Sequence, residues 1–262
     1  MKNLVILILV ILILVILVIL VIVGTKLKSK FTKVIETDGN IGKHTVLLKN
    51  NLGKLYCPFS PDFVCDEIKK NKIWEEHIQQ EFEKYVKQGD TVIDAGAYVG
   101  IHTLKLSKLV SPSGLVYAFE PDPETFKILQ HNIKLNNINN VKLFNVALGD
   151  KESNLEIKKT FDANKGATQW KYKDDFSNVV SKTITIDSLD LKKLNFIKID
   201  VEEMESSVFR GMENTIKKFK PIILFESFKE NNDKNFKILS NYGYTIENIK
   251  DHDYIAKFNN QI

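Results

Sequence analysis

Thr91-Val-Ile-Asp-Ala-Gly-Ala-Tyr-Val-Gly100 decides how this chain is read. An apolar run closes on an acid, Asp94, then turns through glycines at 96 and 100 into a helical stretch from about Ile101 to Val110. That is the pattern of a buried strand, a tight turn and a helix N-terminus. Outward from it, short apolar runs keep alternating with helical patterns. Leu115-Val-Tyr-Ala-Phe-Glu120 is followed by a helix from about Pro123 to Asn137, and Val141-Lys-Leu-Phe-Asn-Val146 makes a third strand. Phe196-Ile-Lys-Ile-Asp200 precedes a helix from about Ser206 to Phe219, and Ile222-Ile-Leu-Phe-Glu226 precedes one near Asp233 to Ser240. Tyr244 to Asn248 and Tyr254 to Phe258 are terminal strand candidates. The alternation predicts an α/β domain over residues 89–262, Rossmann-like, with a doubly wound, mostly parallel sheet.

Residues 26–88 carry no strong motif. Thr45 to Leu48 and Lys54 to Tyr56, around Asn51-Leu-Gly53, read as a hairpin, and Trp74 to Lys87 as an amphipathic helix. The polar segment from about Lys151 to Ser181, with Trp170, Tyr172 and Phe176 embedded in it, interrupts the alternation. It is expected to be a strand and a variable loop over the site.

The first 25 residues stand apart. From Leu4 to Val23 every residue is Leu, Ile or Val, enough for a helix rising about 1.5 Å per residue to cross a hydrocarbon core of about 30 Å. The run exceeds the apolar part of a signal peptide and no small-x-small cleavage pattern follows it, so one uncleaved transmembrane helix is expected. Lys26, Lys28, Lys30 and Lys33 follow the span against Lys2 and the α-amino group before it, so the domain after the span is expected on the cytoplasmic side. A formal net charge of +4, with lysines scattered among carboxylates, gives no footprint for nucleic acid. Two cysteines, Cys57 and Cys65, make no disulfide framework and no CxxC, and read as ordinary thiols.

In an open parallel sheet ligands bind outside the carboxyl ends of strands, and here those ends are acidic: Asp94, Glu120 and Asp200. An acid ending the second strand can accept both hydroxyls of an adenosine ribose. This suits either of two cofactors, NAD or S-adenosylmethionine. A dinucleotide fingerprint, GxGxxG, needs its second glycine where this chain has Tyr98, whose side chain would obstruct a pyrophosphate. S-adenosylmethionine has no pyrophosphate and carries an ammonium and a sulfonium, which favour nearby carboxylates such as Asp94 and Asp200. Taken alone, Gly96 and Gly100 do no more than permit a tight turn.

Five blocks in order resemble the FkbM methyltransferases: Val92 to Thr103, Val116 to Pro121, Asn145-Val-Ala-Leu-Gly149, Thr185-Ile-Asp-Ser-Leu189, and Phe196 to Glu205 with Phe209-Arg-Gly211 and Lys220-Pro-Ile222. The resemblance covers about Trp74 to Glu226. It implies a class I methyltransferase fold, S-adenosylmethionine as donor, and O-methylation of a sugar, glycan or related hydroxyl acceptor. With the strand-end argument it marks Asp94, Gly96, Ala97, Tyr98, Gly100, Glu120, Pro121, Ala147 and Asp200 as donor-binding. The family commonly has Asn where Tyr98 stands, and glycine at the end of its Asp-Val-Glu-Gly block, where this chain has Glu203. An added charge there is expected to alter the acceptor pocket.

Methyl transfer is an in-line displacement, so alignment supplies most of the catalysis and a base takes one proton late. Asp200 and Glu202 are the base candidates, with His102 as a third that reads also as a packing residue. Glu205 reads as a first-turn carboxylate complementing a helix dipole. Asp200, Glu202 and Glu203 offer oxygens that could bind a divalent ion, but no second cluster with fixed spacing accompanies them, and no metal is indicated. The competing readings are a nicotinamide-dependent oxidoreductase and a membrane-tethered scaffold that has lost activity. Thermal stabilisation by one donor or the other separates the first, and absence of donor binding would favour the second.

Overall fold

The computed structural model describes residues 46–50, 52–57, 61–70, 73–160, 164–173 and 180–259. The expected anchor at 4–23, its lysine flank and Phe176 lie outside them. Among the described residues no helix is long and apolar enough to cross a membrane.

A hairpin of β1 (Val46–Asn50) and β2 (Gly53–Cys57) leads to two helices, α1 (Phe63–Lys69) and α2 (Glu76–Tyr85). The alternating part follows: β3 (Thr91–Ala95), α3 (Ile101–Val110), β4 (Leu115–Phe119), α4 (Pro123–Leu135) and β5 (Val141–Phe144). Next come β6 (Ala147–Leu148), β7 (Ser153–Lys159), β8 (Gln169–Lys173), β9 (Ser181–Ile184) and β10 (Phe196–Ile199). The chain then runs through α5 (Glu205–Arg210), α6 (Glu213–Phe219), β11 (Ile222–Glu226), α7 (Lys229–Asn241), β12 (Tyr244–Lys250) and β13 (Asp253–Phe258).

The main sheet has seven strands in the order β12-β13-β11-β10-β3-β4-β5. From β5 to β11 every neighbour is parallel, and β13 and β12 close the far edge antiparallel. The central strands are buried on both faces, which is why their sequences are continuous apolar runs and not alternations. Val92, Val116, Phe196 and Leu224 pack on the side of Phe82 and Leu106, whereas Ile93, Ile197, Ile199 and Phe225 face Val208, Phe209 and Ile216. The chain moves outward from β3 to β4 and β5, then returns to place β10 on the other side of β3. That reversal opens a crevice at the carboxyl ends of β3 and β10, the switch point of a doubly wound sheet.

Three expectations need correction. The helix foreseen from Ser206 to Phe219 is two helices, because the Gly211 carbonyl accepts from Asp187 N and the Asp187 carboxylate accepts from Asn214 N and Thr215 N, capping a new helix there. The segment from Lys151 to Ser181 is not one strand and a loop: β7 and β8 pair antiparallel, and with β6 and β9 they build a second, four-stranded sheet. Trp170 and Tyr172 therefore lie on a strand. The two cysteines are not free thiols either. Cys57 closes β2, Cys65 lies on α1, and they form a disulfide with Cα atoms 5.7 Å apart, inside the usual range.

The N-terminal hairpin is docked by side chains that imitate a neighbouring strand. Asn132, fully buried on α4, accepts from Tyr56 N at 2.6 Å and donates to the Tyr56 carbonyl at 2.9 Å and the Val99 carbonyl at 2.8 Å. One turn on, Asn136 repeats the exchange with Lys54 at 2.9 and 2.7 Å. Its Oδ1 lies where a Cβ on Gly53 would be, so only glycine admits this approach. Replacing Asn132 by Ala strands three buried backbone groups, each costing about 1–3 kcal/mol. Asn132→Ala is expected to lower unfolding stability by roughly 3 kcal/mol in chemical denaturation; a loss below about 1 kcal/mol would mean that the hairpin is held by other contacts.

Candidate active site

Two strand ends are pressed together at the switch point. Gly96 has φ of 79°, and a Cβ on it would stand 1.8 Å from the Asp200 carbonyl, so the turn after β3 meets the end of β10 backbone to backbone. Beneath them lies Lys198, 3% exposed, whose Nζ donates to the Gly96 carbonyl at 2.9 Å and sits 3.1 Å from Asp200 Oδ2 and 3.6 Å from Asp94 Oδ1. The facing carboxylates hold its ammonium well above the ordinary lysine range although burial acts against the charge. Asp94, read from sequence as a partner for the donor's positive charges, is fully buried and takes a bond from Thr103 Oγ1 at 2.6 Å. Asp94 and Gly100 line neither cavity of the cleft; Gly100, with φ of 97°, starts α3. Their place is under the turn, shaping it.

The cleft holds two cavities that share a wall. A narrow slot, open to solvent, lies between the Phe119–Asp122 segment, the Val146–Leu148 segment, Trp170 and Met204. A wider one of about 270 Å³ is walled by Phe63, Val64, Trp74, Glu75, His102 and Glu226. Gly96, Tyr98, Glu120, Gly166, Asp200 and Glu202 border both. Of the residues singled out in the sequence, Pro121 and Ala147 face the narrow cavity and Ala97 and His102 the wider one.

Glu120 directly follows β4 at the boundary. Its Oε2 accepts from Tyr98 N and its Oε1 from Asp122 N, both at 2.9 Å, which leaves a lone pair on each oxygen for further donors. Burial pushes its carboxyl up to about 8, and the two N–H bonds pull against that rise. Asp200, Glu202 and Glu226 each present an oxygen within 4.8 Å of the others. Burial, then the nearby Asp200 charge, raise Glu202 to about 8 and Glu226 to about 9. Among the described residues this trio is the group whose oxygens lie close enough to share a hard divalent cation, so Glu226 takes the place in it that the sequence gave to Glu203. His102 Nε2 lies 2.8 Å from Glu75 Oε2, and its ring meets Phe82 edge-on, so the histidine is engaged in packing as well as facing the cavity. Glu205 opens α5 and accepts from Glu203 N at 3.1 Å.

The two departures from the family pattern share a physical feature. Tyr98 has φ of 50° and Glu203 φ of 72°, the left-handed region that glycine and asparagine occupy at least cost. Glu203 does not reach the acceptor side, as its charge had suggested; it lines neither cavity, and Lys158 Nζ at 2.7 Å and Gln169 Nε2 at 2.8 Å hold it on the small sheet. Sequence reasoning missed Glu75, Lys198 and Glu226. The strand-end rule that found Glu120 would have found Glu226, and a lysine inside the apolar run Phe196 to Asp200 signals a buried pair. Glu75 carries no local signal.

A parallel sheet with an acid-lined crevice at its switch point, one of whose acids can serve ribose hydroxyls, defines a nucleoside-binding α/β domain. The model of the Methyltransferase FkbM domain matches residues 94–255, and the chain belongs to that family. Among curated relatives it is similar to "Methyltransferase 1" of Beauveria bassiana (strain ARSEF 2860), 26% identical over 148 residues, 47% of this chain and 58% of that one. A shorter match, 39% over 70 residues, covers 27% of this chain and 22% of the ribosomal protein L11 methyltransferase of Acetivibrio thermocellus. The chain thus spans just over half the length of the first relative and less than a quarter of the second. A solved FkbM methyltransferase from Methylobacillus flagellatus KT matches with 16% identity and a TM-score of 0.48, covering 69% of this chain and 50% of that one.

The acid cluster makes stability depend on pH. Glu120, Glu202, Glu205 and Glu226 have folded-state values of about 7 to 9 against an ordinary 4.5, chiefly through burial. Such groups hold protons more tightly folded than unfolded. Their contribution is complete below about pH 4.5 and is lost as the pH rises through the folded values. The Tm of the ligand-free protein is expected to fall between about pH 6 and 9, and Glu226→Gln to flatten that fall; a Tm independent of pH across the window would contradict it.

Proposed function

We propose that this protein transfers the methyl group of S-adenosylmethionine to a hydroxyl oxygen of a neutral, polyhydroxylated acceptor such as a sugar or glycan. The observation that carries this reading is the pair of cavities joined at Glu120, Asp200 and Glu202. The narrow one, with Phe119 and Glu120 at its edge, suits an adenosine whose ribose hydroxyls bond the Glu120 carboxylate. The wider one takes the methionine end and the acceptor. When bound, S-adenosylmethionine supplies a methyl carbon already made electrophilic by its sulfonium, so the protein's work is alignment and removal of one proton.

Glu202 borders both cavities and is placed to take that proton. Asp200, ion-paired with Lys198, and Glu226 are its neighbours. The wider cavity is lined by Glu75, Asp200, Glu202 and Glu226 and by no lysine or arginine except the buried, ion-paired Lys198, so it offers a phosphate no free cation, which favours a neutral polyol over a nucleic-acid backbone. Trp74 and Phe63, ring to ring at 5.8 Å, offer this cavity an apolar face. The apolar run 4–23 supports action at a membrane. Its lysine flank supports the cytoplasmic side, whereas the Cys57–Cys65 disulfide favours an oxidising compartment on the other. Protease protection of a reporter fused to Ile262, in intact microsomes, distinguishes the two sides.

Even with the Glu120 carboxyl neutral, two hydrogen bonds of about 1 kcal/mol each exceed the roughly 1.4 kcal/mol that corresponds to a factor of ten. Glu120→Ala is therefore expected to weaken S-adenosylmethionine binding at least tenfold in calorimetric titration while the fold survives, whereas Asp200→Asn reduces turnover more than donor affinity. Unchanged affinity in a folded Glu120→Ala protein would remove the adenosine site from this cleft.

A further inference from the structure

Tyr98 is the residue at which the two cavities meet, and it is held in an unfavourable backbone conformation. A φ of 50° suits the asparagine common in the family better than a bulky aromatic. Such a conformation persists only where the surroundings hold it. Tyr98 N is fixed by Glu120 Oε2 at 2.9 Å, on the donor side. Its ring passes between the cavities against Gly166. Its hydroxyl donates to Asp62 Oδ2 at 2.5 Å.

Asp62 is only 2% exposed and belongs to the N-terminal extension, outside the matched family segment. Its other oxygen accepts from Cys65 N at 2.9 Å and caps α1, the helix whose first residues, Phe63 and Val64, wall the wider cavity. The same helix is tied to β2 through Cys65 and Cys57. One side chain therefore links the turn under the donor to the wall facing the acceptor. Burial and the Asp62 charge push the Tyr98 phenol far up, so it stays a donor at any working pH.

We propose that Tyr98 and Asp62 are a positioning pair that carries donor occupancy to α1, so that the acceptor wall is set once the donor is in place. This rests on the reading that the narrow cavity takes adenosine. Binding that pins the Tyr98 backbone and ring restrains the hydroxyl, and restraint of Asp62 restrains the cap of α1. Coupling of this kind is reciprocal, so an ordered wall also tightens the donor site.

The test is hydrogen exchange of the α1 amides in the full-length protein in detergent, with and without saturating S-adenosylmethionine, alongside calorimetric donor affinity. In the unmodified protein the donor is expected to slow exchange across α1 by about tenfold. Asp62→Ser keeps a competent helix cap but is too short to reach Tyr98. In that variant the donor still binds and α1 no longer responds. Tyr98→Phe, which keeps the ring and loses the hydroxyl, abolishes the response as well. Donor binding that leaves α1 unchanged in the unmodified protein, or a full response in both variants, overturns the pair while leaving the methyl-donor reading intact. No donor binding to the unmodified protein overturns both.

Discussion

The ammonium of Lys198 sits at the centre of the sheet with three oxygens around it, and the cleft takes its shape from how those oxygens are held. An ammonium removed from water costs several kcal/mol unless its partners are well placed. Here Gly96, Asp200 and Asp94 supply them, from the ends of two adjacent strands. The same contacts let two carboxylates stand side by side at the switch point. They also fix the Gly96 carbonyl, whose residue must lack a Cβ because the Asp200 backbone is already there. With that turn set, Tyr98 N points at Glu120, and the boundary between the cavities follows.

Much of this was legible because parallel strands have no solvent face. Continuous apolar runs closed by an acid marked β3, β4, β10 and β11, and the rule that ligands meet strand ends brought Glu120, Asp200 and Glu202 to one cleft. The rule said where acids cluster and not which way each one faces. Asp94 obeys it in sequence, yet it turns inward to Thr103 and Lys198, because a buried ammonium nearby gives its charge a better partner than the cleft does. What stayed hidden depends on contacts distant in sequence. Glu75 reaches the site only because α2 packs beside α3, and Asp62 only because the hairpin docks on Asn132. The Cys57–Cys65 pair has no motif spacing, and its bridge joins β2 to α1, two elements whose proximity no local pattern announces. The second sheet was missed for a similar reason: β7 and β8 are half polar, so no apolar run marks them, and their pairing partners include β9, which lies further along the chain.

The departures from the family pattern carry their own lesson. Both fall at left-handed backbone positions, and in both the unusual side chain reaches another segment over the site: Tyr98 to Asp62 on the N-terminal extension, Glu203 to Lys158 and Gln169 on the small sheet. A conformational cost at the turn is met by a contact that fastens a wall. The strand-end frame is thus kept, while the N-terminal extension and the small sheet are fastened over it in this chain's own way.

The central claim is that one cleft, divided at Glu120 and Tyr98, takes the nucleoside on one side and the acceptor on the other. A crystal structure of the protein with S-adenosylhomocysteine tests it most directly. The account predicts both ribose hydroxyls within hydrogen-bond distance of the Glu120 carboxylate, the adenine beside Pro121 and Ala147, and the sulfur directed toward Glu202 and the wider cavity. A product seated elsewhere, or bound with its ribose away from Glu120, would contradict it.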